Sequence, residues 1–236
     1  MGKDVIIACD FASKEETLAF LDRFSGKKPF VKIGMELFYA EGPDIVRQIK
    51  QRGHKIFLDL KLHDIPNTVA GGLCSLMCLG ASMLNVHAGG GYTMMKTSAD
   101  RLHEEAARLG FVCPKLIAVT VLTSIGQKDW DGLGQALPIS DAVVRYAALA
   151  KQAGLDGVVA SPQEAALIRK ACGPDFLIVT PGVRPAGAST DDQSRIATPA
   201  AALRAGASHL VIGRPIRAAV DPGAAADAIL KEMETV

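Results

Sequence analysis

The stretch Phe57-Leu58-Asp59-Leu60-Lys61-Leu62-His63-Asp64-Ile65-Pro66-Asn67-Thr68 decides how this chain is read. Ile56, Leu58, Leu60 and Leu62 take one parity, and Phe57, Asp59, Lys61 and His63 take the other. Successive side chains of a strand point to opposite faces, so Asp59 and Lys61 share a face that the leucines avoid. A strand of a parallel sheet is covered on both faces and reads as nearly continuous apolar sequence. Two unlike charges on one face of such a strand carry a large desolvation cost unless they pair. They stand at the strand's end, just before Pro66-Asn67, which predicts a mouth rather than an interior. Asp64 follows as a third charge where the chain turns, and it reads as a helix N-cap within its own chain.

Outward from that stretch one unit repeats: a short apolar strand, a loop, an amphipathic helix, a glycine, then the next strand. Strands are predicted at Val5–Cys9, Phe30–Gly34, Lys55–Leu60, Met83–His87, Lys115–Thr120, Gly157–Ala160, Phe176–Thr180 and His209–Ile212. Helical faces are marked by Leu18, Leu21 and Phe24, by Ile45, Val46 and Ile49, by Val69, Leu73 and Leu76, and by Met95, Leu102 and Leu109. Later faces use Val143, Ala147 and Ala150, then Ala165, Ile168 and Cys172, then Ala202 and Leu203, and last Ile229, Leu230 and Met233. Gly26, Gly53, Gly80, Gly110, Gly154, Gly173 and Gly206 fall where left-handed helix caps are expected. Eight alternations in 236 residues fit an α/β fold, a single-domain (β/α)8 TIM barrel, better than an open sheet.

The totals narrow the function. With 26 basic against 25 acidic residues the net charge is +1, and the phenylalanines are scattered singly, so no nucleic-acid surface is expected. No apolar run approaches a membrane span, and Val5-Ile6-Ile7-Ala8 is too short for a signal-peptide core. Five irregularly spaced cysteines, with Cys74 and Cys78 inside an apolar helical pattern, read as reduced thiols. A cytoplasmic protein without membrane partners is expected.

Two connections break the rhythm, residues 123–140 and 181–194, and both follow strands. They belong to the C-terminal rim, where barrels keep their active sites, and are expected to be long loops over the site that act as lids. Asp10, Lys32, Asp59, Lys61, His87, Thr123, Pro181 and Gly213-Arg214 all fall at the C-terminal ends of strands. Lys32, Asp59, Lys61 and Asp64 alternate in sign and can hold one another in a dry pocket. His87 alone reads as a hydrogen-bonded core histidine. Asp59, His63 and Asp64 offer a competing divalent-metal site. Lys61, however, puts an ammonium where that cation would sit, so no metal is expected. The exit Ile212-Gly213-Arg214-Pro215-Ile216, with Arg184 and Gln193, occupies the station where barrels commonly bind phosphate.

The motif Asp59-Leu60-Lys61-Leu62-His63-Asp64-Ile65-Pro66-Asn67-Thr68 resembles that of the bacterial orotidine 5′-phosphate decarboxylases. The likeness runs nearly end to end. It includes Asp10, Val31-Lys32-Ile33-Gly34, Asn85-Val86-His87-Ala88, Val121-Leu122-Thr123-Ser124, the run from Thr180 to Gly187, Asp192-Gln193-Ser194-Arg195 and Val211 to Ile216. The pattern Asp-x-Lys-x-x-Asp is shared with related sugar-phosphate enzymes, whereas Ile-Pro-Asn-Thr and Lys32 are narrower signals. Cys9 replaces a larger apolar residue and is expected to point away from the site.

The resemblance implies cofactor-free decarboxylation of orotidine 5′-phosphate to uridine 5′-phosphate, the last step of UMP biosynthesis. It implies Lys61 as proton donor to C6 and Asp59 beside the leaving carboxylate. It also implies a homodimer in which Asp64, Ile65 and Thr68 reach the partner's site, which displaces the N-cap reading of Asp64. Asp10 and Lys32 would hold ribose hydroxyls, and Thr123 would contact the pyrimidine. Arg184, Gln193, Gly213 and Arg214 would hold the phosphate, with Pro181 at the rim of the same pocket. The runner-up readings are a metal-dependent keto-sugar-phosphate decarboxylase of the same suprafamily and a non-catalytic nucleotide-binding barrel.

Overall fold

The computed structural model of the chain describes residues 3–24, 26–184 and 197–234. Eight parallel strands close into one barrel in chain order. They are β1 (Asp4–Ala8), β2 (Phe30–Gly34), β3 (Ile56–Leu62), β4 (Met83–His87), β5 (Lys115–Val119), β6 (Gly157–Val159), β7 (Leu177–Thr180) and β8 (His209–Ile212). β1 pairs with β8 through Ile6↔Val211 and with β2 through Ala8↔Lys32, which closes the ring. Around it run α1 (Lys14–Asp22), α2 (Met35–Glu41), α3 (Pro43–Gln51), α4 (Pro66–Met77), α5 (Gly91–Leu109) and α6 (Gln127–Gly132). The ring continues with α7 (Ile139–Gln152), α8 (Ala165–Cys172), α9 (Pro199–Arg204), α10 (Arg214–Arg217) and α11 (Pro222–Glu234).

The period-2 alternation of each strand divides the apolar residues into two cores. Val5, Ile7, Val31, Ile33, Ile56, Leu58, Leu84, Val86, Leu116 and Ala118 face outward and pack against the helices. Ile6, Ala8, Phe30, Phe57, Met83, Ile117, Leu177, Val179 and Val211 fill the barrel interior. Lys32, Asp59 and Asn85 share the parity of these interior residues, one step nearer the C-terminal mouth. The charged top of the barrel is thus a continuation of its apolar plug. Cys9 belongs to the outer core, as expected, and burial pushes its thiol up to about 12.

The seven glycines read as helix caps all have positive φ, from 69° at Gly110 to 105° at Gly206. Gly110 is the C-cap of α5 in the left-handed region, and its N–H bonds back to Ala106 and Ala107 carbonyls. The periodicity reading differs from the structure at a few places. β3 runs on to Leu62 instead of ending at Leu60, and α2, α6 and α10 are short helices without an apolar stripe long enough to mark them. Leu230 is exposed because it sits one step off the buried stripe of its helix, which Ile229 and Met233 define, and Leu109 is exposed as the last residue of α5, past the covered part of the stripe that Leu102 and Ala106 define. Within residues 123–140, α6 and the first residues of α7 give the connection regular structure. Trp130 is buried there, and its indole N–H donates to the Leu137 carbonyl at 2.7 Å.

Gly157 meets a requirement of space. A Cβ built there would lie 2.4 Å from both the Cβ and the carbonyl oxygen of Leu177, so β6 and β7 approach too closely for any side chain. Overpacking of this kind costs roughly 1–3 kcal/mol. Gly157→Ala should lower the thermal midpoint by about 4–8 °C in a calorimetric scan. An unchanged midpoint would show that the two strands can separate freely.

Candidate active site

The C-terminal ends of β1, β2 and β3 carry a chain of four alternating charges. Lys32 Nζ lies 2.8 Å from Asp10 Oδ1 and 3.4 Å from Asp59 Oδ2, and Lys61 Nζ lies 2.7 Å from Asp59 Oδ1. The side chains of Lys32 and Asp59 are only 11% and 14% exposed, which removes most of the solvent screening that weakens surface pairs. Burial alone would push Asp59 up, but the ammonium groups of Lys32 and Lys61 prevail and hold its carboxyl below the usual range. Burial likewise pushes Lys32 down, and the carboxylates of Asp59 and Asp10 outweigh it and raise the ammonium. Gly34 leaves room for this chain, since a Cβ there would stand 3.2 Å from Lys32 Nζ and 3.4 Å from Asp10 Oδ1.

Two cavities open around these charges. One of about 250 Å³ is walled by Phe57, Val119, Val121, Leu122, Val159 and Val211, with Lys32, Asp59 and Lys61 on one side and Thr123 and Pro181 at the rim. The second, about 200 Å³, gathers Arg184, Arg214 and Arg217 with Lys32, Gly213, Pro181 and a single carboxylate, Asp10. The first is a largely apolar slot with fixed charges among its lining, and the second gathers three guanidinium groups of the kind that suits an anion. They share Lys32, Pro181 and Val211, so the two cavities adjoin.

Asp10, Lys32, Asp59, Lys61, Thr123, Pro181, Arg184, Gly213 and Arg214 therefore come together. Asp64, Ile65 and Thr68 do not. They are exposed on the rim, and Asp64 Oδ1 accepts from the Ile65 N–H at 2.6 Å. Ile65, not Asp64, is the N-cap of α4, because Pro66 at the first helical position moves the start one residue on. Among the described residues Asp64 forms no ion pair. Gln193 lies outside the described residues. His87 sits against the His63 ring at 5.4 Å between centroids, and burial, the neighbouring imidazole and Lys61 all push its pKa down.

Sequence reasoning missed Arg217 and Asn85. Arg217 donates to the Asp10 carbonyl and lies over the Phe11 ring at 5.1 Å, and a second arginine three residues after Arg214 carries no distinctive mark. Asn85 is fully buried. Its Nδ2 donates to Asp59 Oδ1 at 2.7 Å, and its Oδ1 accepts from the Lys61 backbone N–H at 2.8 Å. Its parity with Met83 was the available signal, for it puts an amide inside a barrel.

A closed eight-stranded barrel with fixed ion pairs and a guanidinium basket at its C-terminal mouth belongs to the class of barrel enzymes that handle phosphorylated substrates. Comparison with known proteins makes the class specific. The model of the "Orotidine 5'-phosphate decarboxylase / HUMPS family" matches residues 3–229. The orotidine 5′-phosphate decarboxylase of Moorella thermoacetica is 53% identical over 98% of this chain and 92% of its own length. That of Geotalea daltonii is 49% identical over 97% and 95%. Among solved structures, the orotidine 5′-phosphate decarboxylase from Lactobacillus acidophilus superposes with a TM-score of 0.87 at 43% identity, covering 98% of this chain and 99% of that one. The chain belongs to the orotidine 5′-phosphate decarboxylase family.

Asp59 has its folded pKa depressed, so the stability it contributes is present above the ordinary carboxylate value of about 3.9 and is lost as pH falls through the lower folded value. Lys32→Met removes the stronger of the two cations holding it down. Acid unfolding of Lys32→Met should therefore begin at a higher pH than that of the wild type in a circular-dichroism titration. Coincident acid limbs would mean that Lys32 does not hold the Asp59 charge.

Proposed function

We propose that this chain converts orotidine 5′-phosphate to uridine 5′-phosphate and CO2 without a metal or organic cofactor, with Lys61 as proton donor. The alternating Asp10–Lys32–Asp59–Lys61 chain beside an apolar slot carries this reading. The C6–carboxylate bond breaks, CO2 departs, and the electron pair stays on C6 in the plane of the ring. No π system accepts that pair, so an electrostatic partner must. The Lys61 ammonium gives a proton to C6 and is left neutral until solvent reprotonates it. A fixed ammonium about 4 Å from the developing charge contributes on the order of 4 kcal/mol at an effective dielectric near 20. That is a small part of the more than roughly 20 kcal/mol that the largest enzymatic accelerations require. The rest is assigned to preorganised charges in a slot closed to water and to phosphate binding energy spent on that closure.

In this reading the pyrimidine enters the apolar slot, with Thr123 at its rim. The ribose hydroxyls meet Asp10 and Lys32, and the phosphate enters the basket of Arg184, Gly213 and Arg214, with Gln193 and Pro181 beside it. The connections 123–140 and 181–194 close over the ligand. Lys32, lying between Asp10 and Asp59, already fills the place a divalent cation would take among these carboxylates. Lys61→Ala should lower turnover by at least about a thousandfold, the equivalent of the lost charge, and leave uridine monophosphate binding largely intact. The wild type should keep full activity in excess EDTA. Near-normal turnover of Lys61→Ala ends the proton-donor role, and loss in EDTA reversed by Mg²⁺ ends the metal-free one.

The exposed rim residues support a homodimer. Ile65 is 68% exposed beside the exposed Asp64, and among the described residues Lys61 pairs with the carboxylate of Asp59 alone. A partner chain would cover Ile65 and Thr68 and bring Asp64 to Lys61. Lys61→Ala and Asp64→Asn proteins, each nearly inactive alone, should recover roughly a quarter of wild-type activity when unfolded together and refolded as statistical hybrids. No recovery would mean that Asp64 does not act across an interface.

A further inference from the structure

The ladder between β3 and β4 is regular at Phe57↔Met83 and Leu58↔Leu84, resumes at Leu62↔Val86, and shifts register between. Residues 59–61 of β3 therefore stand opposite the single residue Asn85. Such a bulge leaves backbone groups without ladder partners and re-aims side chains. At its crest Lys61 has φ of 53°, the only positive value among the described non-glycine residues. A lysine in the left-handed region is strained, by about 1–3 kcal/mol, and persists only where its surroundings hold it.

Asn85 supplies the hold. Its carboxamide stands in for the missing peptide: the oxygen takes the Lys61 N–H, and the nitrogen donates to Asp59 Oδ1, the same oxygen that the Lys61 ammonium contacts. The amide orientation is fixed because only the oxygen can accept a backbone N–H. With no exposure, it exchanges neither bond for water without opening the barrel.

We infer that Asn85 is a positioning residue, whose carboxamide clamps the Lys61 backbone and the Asp59 carboxylate into one unit and so sets where the Lys61 ammonium meets the reacting carbon. The inference rests on the reading of Lys61 as proton donor. Asn85 lines neither cavity and so touches no ligand there. Truncating it should affect the chemical step and spare binding.

The test compares Asn85→Ala, Asn85→Asp and Lys61→Ala with the wild type, using kcat for orotidine monophosphate, uridine monophosphate affinity and the pH profile. Asn85→Ala should lose about a hundredfold in kcat, the scale of an ångström-sized misplacement, with affinity changed less than about threefold. In Asn85→Asp the new carboxyl donates an O–H to Asp59 when protonated and repels Asp59 when ionised. Its kcat should therefore rise toward acid pH relative to the wild type and fall as pH increases. Unchanged kcat in Asn85→Ala, parallel losses of kcat and affinity, or the wild-type pH profile in Asn85→Asp would each overturn the inference. Failure of both variants to fold would also overturn it, by assigning Asn85 to barrel stability. An active Lys61→Ala would instead overturn the proton-donor reading, whatever Asn85 does.

Discussion

The structure turns on one carboxylate held between two ammonium groups. Asp59 meets Lys32 through one oxygen and Lys61 through the other, in a place where water screens little of the attraction. None of the three charges would be tolerated there alone, since each buried ion carries a desolvation penalty of several kcal/mol. The barrel supplies the neighbours that make them tolerable: Asp10 follows two residues after β1, β2 brings Lys32, and β4 brings Asn85. Charges held by one another rather than by water need no reorganisation when a substrate arrives, and that is the condition for electrostatic stabilisation of a developing charge.

The barrel's architecture makes this arrangement possible. Interior positions below the charged layer are filled by Phe30, Phe57, Met83, Ile117 and Leu177, so the pocket has a dry floor. The outward parity of every strand is committed to the helices, which leaves the inward parity at the C-terminal mouth free for polar groups. The guanidinium groups of Arg184, Arg214 and Arg217 come from the exits of β7 and β8, beside β1 around the ring. Closure of the barrel in chain order thus puts the first and last strands next to each other and joins the arginine cluster to the charge chain at Lys32.

Much of this was legible in the sequence because it follows from periodicity. The alternation through Asp59 and Lys61 placed both on one face, and the lysine inside Phe30–Gly34 could lie nowhere but the barrel mouth. The cap glycines declared themselves by their position after each helical stripe. The bulge in β3 left no such mark, since left-handed backbone is signalled by glycine and here a lysine adopts it. Asn85 was hidden within a strand counted as apolar. Asp64 shows the opposite limit. Its local sequence spoke for a helix cap, and the structure gives that place to Ile65 because Pro66 opens the helix one residue later.

Asp59 stays ionised because Lys32 and Lys61 flank it. Carbon-13 NMR titration of the Asp59 carboxyl in the unliganded protein tests this most directly. The expected midpoint lies below the ordinary aspartate value of about 3.9 and moves upward in Lys32→Met. A midpoint at or above that value in the wild type would contradict it.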